Sequence, residues 1–138
     1  MPTNTQPIPI PTGRLWAGRI LSALPILFLL FDGIAKVLQL PPVLEGTAKL
    51  GYPLGVVVPL GLTLLACTVL YAVPRTSVLG AIFLTGYLGG AVASHVRVGD
   101  PLFSHALFPT YVAVLIWGGL FLRDARLRAL LPFARPLA

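Results

Sequence analysis

Four apolar stretches, each about as long as a bilayer is thick, constrain this chain more than any other feature. They lie at 15–37, 53–73, 77–96 and 103–122. A hydrocarbon core of about 30 Å is crossed by about 20 mostly apolar residues in an α-helix, and inside lipid every backbone polar group must be satisfied within the segment. Continuous apolar runs are unlike the alternating strands of a membrane barrel. The sequence therefore predicts an all-α integral membrane four-helix bundle. Composition agrees: 10% of the residues are charged, against about 25% in a soluble domain. So few charges cannot build a water-facing surface around a core.

The segments between the stretches set the order of the bundle. Val73-Pro74-Arg75-Thr76 is short enough to force the second and third spans into an antiparallel hairpin. Gly99-Asp100-Pro101 is a turn signal between the third and fourth. The first connection opens with Pro41-Pro42 and carries Glu45 and Lys49 at i, i+4, which suits a short helix on the membrane surface. Before the first span, residues 1–13 are Pro-rich and read as a flexible arm. That span lacks a cleavage-like end and reads as a retained helix. The membrane domain is expected over 14–132, with a short tail at 133–138.

Charge places the ends. Arg14, Arg19, Arg75, Arg123, Arg126, Arg128 and Arg135 fall on one side, and Lys36, Lys49 and Arg97 on the other. This bias predicts that both termini are cytoplasmic, in a multi-pass protein of the cell inner (plasma) membrane. Trp16, Tyr52 and Tyr71 fall near the expected interfaces, as an aromatic belt would place them. The net charge of +6 flanks the spans and forms no continuous face, so the expected partner is the lipid bilayer and not nucleic acid. The cytoplasmic end reads as a plain basic anchor. Asp32, Glu45, Asp100, His95 and His105 all belong to the outer end, where the chemistry gathers.

Asp32 is the most informative residue, because an unpaired charge inside a span costs roughly 2.5–3.5 kcal/mol or more. Lys36 follows it on the same helical face, which Ser22, Pro25 and Leu29 continue inward. At similar depth come His95, Arg97, Asp100 and His105. Such a cluster could hold an anionic or quinone-like ligand or relay a proton. The alternative is a salt-bridge network that fixes helix register, with Lys36 snorkelling outward. Gly86 with Gly90, and Gly89 beside them, form small-residue stripes that predict close helix packing. Pro25, Pro59 and Pro109 fall within spans, where each can kink its helix. The single cysteine, Cys67, reads as a small buried hydrophobe. His95 and His105 lack the spacing of a metal motif, so no metal site is expected.

The segments FDGIAK (31–36), LGYP (50–53), PRTSVLGA (74–81), TGYLGGAVASHVRVGD (85–100) and LRDARLRALLP (122–132) occur in order. On them the chain resembles the DoxX-like family of small four-helix bacterial membrane proteins. The resemblance implies a four-helix membrane fold. Through the family's namesake, which is similar to a membrane subunit of a thiosulfate–quinone oxidoreductase, it also implies a link to quinone and to a membrane-associated oxidoreductase partner. The paired cysteines of dithiol-type relatives are missing, which argues against thiol exchange. Three functions follow as expectations. The first is a membrane subunit of a quinone-linked redox system with a pocket near Asp32 and His95. The second is a transporter or membrane enzyme for a lipophilic or anionic molecule. The third is an assembly factor with ion pairs in place of a pocket.

Overall fold

The computed structural model describes residues 9–130. The start of the expected arm, 1–8, and the expected tail, 133–138, lie outside the described residues, as does Arg135. The helices are α1 (Thr12–Val37), α2 (Pro41–Lys49), α3 (Val57–Ala72), α4 (Ser77–Arg97), α5 (Phe108–Arg123) and α6 (Ala125–Leu130). A 3-10 turn, Leu54–Val56, leads into α3, and a π turn, Leu102–Ala106, leads into α5. Four of these helical stretches are long and apolar enough to cross a membrane: Thr12–Val37, Leu54–Ala72, Ser77–Arg97 and Leu102–Arg123. Only 28–33% of the most apolar 18 residues of each is buried inside the chain. The outward remainder is rich in large apolar side chains such as Leu27, Phe31 and Val114, so lipid and not water is the solvent this surface fits.

α1 packs beside α3 and α5, and α4 closes the square by packing beside the same two helices. One end of the square holds the start of α1, the α3–α4 hairpin and the end of α5, and with them Arg14, Arg19, Arg75 and Arg123. We call this the basic end. The other is the lid end, where α2 lies across the connection from α1 to α3.

Lipid supplies no hydrophobic drive between helices, so small residues that bring backbones together matter. Those residues differ from the expected ones. A Cβ at Gly80 would fall on the Tyr71 backbone nitrogen, and one at Gly18 would meet Gly119 O at 2.9 Å. One at Gly61 would meet Lys36 Cβ at 2.7 Å. At Gly86, Gly89 and Gly90 a Cβ would meet nothing within 4 Å. The small stripe of α4 therefore leaves space within this chain instead of closing it. The prolines differ as well. Pro25 is buried in the interior of α1, but Pro59 and Pro109 sit in the first turns of α3 and α5, where a missing N–H breaks no helical bond.

The basic end is more than an anchor. Tyr71 is fully buried and does not join an aromatic belt. Its hydroxyl donates to the Ile116 carbonyl at 2.7 Å and lies 2.9 Å from Ser22 Oγ. Arg123 Nε donates to that same Ser22 oxygen at 3.0 Å, and the guanidinium lies over the Tyr71 ring. Donors thus fall in sequence from Arg123 through Ser22 and Tyr71 to Ile116, tying α1, α3 and α5 together. Ser77, at the start of α4, donates to Tyr71 O at 2.8 Å. Around and above these bonds the core is filled by Leu64, Leu84, Ile116 and Leu120, each at most 1% exposed. Cys67 is buried and free, as expected.

Candidate functional site: a polar-capped cavity at the lid end

The filled axis gives way toward the lid end to a cavity of about 620 Å³. All four spanning helices and α2 line it. Its walls are apolar, with Phe28, Leu29, Leu60, Leu88 and Val112 among them. Gly86 and Gly90 contribute the empty face of α4. Asp32, Lys36, Tyr52, Ser94 and His95 bring polar groups from positions nearer the lid, and Tyr87 adds a hydroxyl from deeper on α4. Phe28 and Phe108 meet edge-to-face at 5.3 Å where α1 and α5 adjoin, and both rings remain partly exposed.

Asp32 and Lys36 form an ion pair one turn apart on α1. Lys36 does not snorkel away: its side chain is 14% exposed against 31% for Asp32. The stem is held against Gly61, whose lack of a Cβ admits it. His95 lies near the last turn of α4, which ends in a Schellman motif. Gly99, at φ 76, bonds back to Val96 O, and the Asp100 N–H bonds to His95 O at 3.1 Å. That reversal carries the Asp100 carboxylate over the ring, where Oδ2 lies 2.5 Å from His95 Nδ1. The turn expected at Gly99-Asp100-Pro101 is thus what builds the pair. His95 Nε2 has no protein partner among the described residues.

α2 is the short helix expected from its Pro start, and it forms the cavity's lid. Its own end repeats the motif of α4: Gly51, at φ 82, bonds to Ala48 O and the Tyr52 N–H to Thr47 O at 3.3 Å. This aims Tyr52 at Ser94. Ser94 Oγ donates to Gly90 O at 2.8 Å, so Tyr52 donates to Ser94 at 2.6 Å. Arg97 stays outside the cavity and fixes the lid. Its Nη2 donates to Leu50 O at 2.5 Å, and its guanidinium lies 5.8 Å from the Tyr52 ring centre.

Of the six expected site residues, the structure brings Asp32, Lys36 and His95 to one cavity. Asp100 joins through His95, and Arg97 acts on the lid. His105 does not join: it is exposed in the π turn, with Nδ1 2.8 Å from Ser104 Oγ. Sequence reasoning missed Tyr52, Tyr87 and Ser94. Tyr87 was visible on the same α4 stripe as His95. Its hydroxyl has no hydrogen-bond partner among the described residues, although it lines the cavity.

Residues 20–119 match the sequence pattern of the DoxX-like family. The chain belongs to the DoxX-like family. The matched segment contains every residue that lines the cavity, from Phe28 to Val112. In this DoxX-like chain it stops short of α6 and of Arg14 and Arg19. No curated relative and no solved structure matches the chain.

Proposed function

We propose that this DoxX-like protein binds a lipophilic molecule with a compact polar head, of the quinone type, in the cavity beneath α2. The protein would lie in the cell inner (plasma) membrane with both termini cytoplasmic, which places the cavity in the outer half of the bilayer. The cavity itself carries the reading. Its volume of about 620 Å³ falls within the range of about 300–1,000 Å³ usual for small-molecule sites. It joins apolar walls to a few polar groups at one end. The residues suit a quinone head. Its carbonyl oxygens only accept hydrogen bonds, and Tyr87 offers a hydroxyl donor that no group among the described residues uses. The His95 ring, held by Asp100, presents a second nitrogen. The apolar tail would leave past Phe28 and Phe108 into lipid.

In this reading the protein serves as a membrane subunit of a quinone-linked redox system, with a membrane-associated oxidoreductase exchanging electrons with the bound ligand. Two observations favour this over the alternatives. The axis below the cavity is filled by Leu64, Leu84, Ile116 and Tyr71, which speaks for a binding site and against a through-path. An assembly factor calls for ion pairs in place of a pocket, whereas here the Asp32–Lys36 pair lines one. The test is titration of the protein in nanodiscs with a short-tailed benzoquinone. Wild type should bind saturably. His95→Ala and Asp32→Ala should fold yet bind about tenfold or more weakly, the loss of a hydrogen bond to a polar or charged partner. Equal affinity in both variants refutes the proposal.

A further inference from the structure

Charge is divided between the two ends of the bundle in a way the cavity does not use. At the lid end Lys36, Lys49 and Arg97 balance Asp32, Glu45 and Asp100. Among the described residues of the basic end, Arg14, Arg19, Arg75, Arg123, Arg126 and Arg128 face one carboxylate side chain, Asp124. Asp124 is already engaged. Its Oδ1 accepts the Arg126 N–H at 2.8 Å and the Leu127 N–H at 3.4 Å, and Oδ2 pairs with Arg126 Nη2. Arg123 spends its donors on the neutral hydroxyls of Ser22 and Ser77.

Among the described residues, two buried side-chain nitrogens lack a hydrogen-bond partner, and both are at this end: Nε of Arg14 and Nε of Arg128. An unmade hydrogen bond at a buried charged donor is costly, so such atoms point to a missing acceptor. Both arginines sit at the same end of the bundle, Arg14 on the first turn of α1 and Arg128 on α6. Arg14 lies over the Phe121 ring of α5 at 5.9 Å. One turn further along α1, a Cβ at Gly18 would meet Arg123 Cβ at 3.0 Å. α6, with Arg128, departs directly from that last turn of α5 and packs against it. Exposed Leu130, at the end of α6, adds apolar surface on the side of Arg128.

We propose that this corner, formed by the first turn of α1, the last turn of α5 and α6, binds the phosphate of an anionic phospholipid. Arg14 and Arg128 grip the phosphodiester oxygens, and the acyl chains lie along the exposed apolar side chains. Guanidinium groups suit this role because their planar N–H fork matches phosphate geometry. A lipid, more than a free anion, fits a site where a membrane span ends and one flank is apolar.

Native mass spectrometry of the full chain, with equal phosphatidylglycerol and phosphatidylcholine supplied in detergent, tests it. Wild type should retain phosphatidylglycerol about tenfold or more in preference. Arg14→Gln with Arg128→Gln should abolish the preference, while Arg75→Gln, which removes one charge elsewhere at the same end, should keep it. Equal loss in both variants would mean diffuse attraction and overturns the site. Full displacement of the lipid by an equal concentration of inorganic phosphate overturns the assignment to lipid. If the double variant does not fold, Arg14→Lys and Arg128→Lys take its place. They keep the charge and lose the fork, and an undiminished preference in both refutes the grip. Quinone titration is unaffected by these variants, so this proposal and the cavity reading fail separately.

Discussion

Gly90→Leu perturbs the cavity most directly, because it puts a branched side chain into space the protein leaves open. A Cβ there meets nothing within 4 Å, and Gly90 lines the cavity. The protein therefore has little to lose. Replacing a glycine inside α4 removes a penalty of roughly 0.5–1 kcal/mol in helix stability. A ligand in the cavity meets the opposite effect. Overfilling a packed site costs about 1–3 kcal/mol, which is about a five- to 150-fold rise in Kd at about 1.4 kcal/mol per decade. Gly89→Leu is the matched control: it has the same helix and the same open Cβ, but it lines a separate shallow groove with Thr85, Val92 and Pro109. Both variants are measured for benzoquinone affinity and thermal unfolding in one nanodisc composition. Gly90→Leu should unfold no lower than wild type and bind at least about fivefold more weakly, and Gly89→Leu should bind normally. A Gly90→Leu protein that is folded and binds like wild type refutes the reasoning, since the ligand is then not where the cavity is.

Tyr71→Phe leaves the Ile116 carbonyl and Ser22 Oγ without their buried partner and should lower unfolding stability by about 1–3 kcal/mol, read by denaturant titration in micelles. Gln39 ends α1 at φ 53, a left-handed conformation that costs a side chain roughly 1–2 kcal/mol. Gln39→Gly should raise the unfolding temperature, and a fall would show that the glutamine side chain matters more than its backbone. Asp124 caps α6. Burial pushes its carboxyl up, but the N–H groups of Arg126 and Leu127 and the Arg126 guanidinium outweigh this and hold it below the ordinary value. A depressed folded pKa stabilises above the unfolded value of about 3.9 and is lost as pH falls through the folded one. The protection factors of the α6 amides, corrected for intrinsic exchange, should therefore fall in acid, and Asp124→Asn, which caps without titrating, should remove that fall.

The spans were legible because hydropathy reports depth in a membrane directly. It does not report direction around the helix axis, and the misreadings follow from this. Tyr71 sits at interface depth, but it turns inward to a carbonyl of α5. Gly86, Gly89 and Gly90 make a small stripe whichever way they face, and only the neighbouring helices decide that the stripe opens space. Arg123 counts as one more flanking cation in sequence, although two serines from two other helices converge on it. Asp32 with Lys36, and Gly99 with Asp100, were readable because their partners lie within one turn along the chain. Tyr52 to Ser94, 42 residues apart, and the role of α2 as lid depend on tertiary closure. His105 was placed by counting residues as though α5 began earlier, and the π turn removed it.

The donor chain from Arg123 through Ser22 and Tyr71 to Ile116 has a mechanical consequence. It clamps three helices at one end of the barrel-stave arrangement, and Ser77 holds the fourth to Tyr71. The far end is joined across the rim by a nine-residue helix tethered through Arg97 and Tyr52. Such a body behaves like tweezers: the joined end is the pivot, and the free tips carry the movement. Spreading the tips to admit the proposed guest would require release of the Arg97 and Tyr52 contacts and would leave the pivot undisturbed. If the cavity binds its ligand as proposed, loading and unloading would take place at the lid end, away from the donor chain that joins the helices.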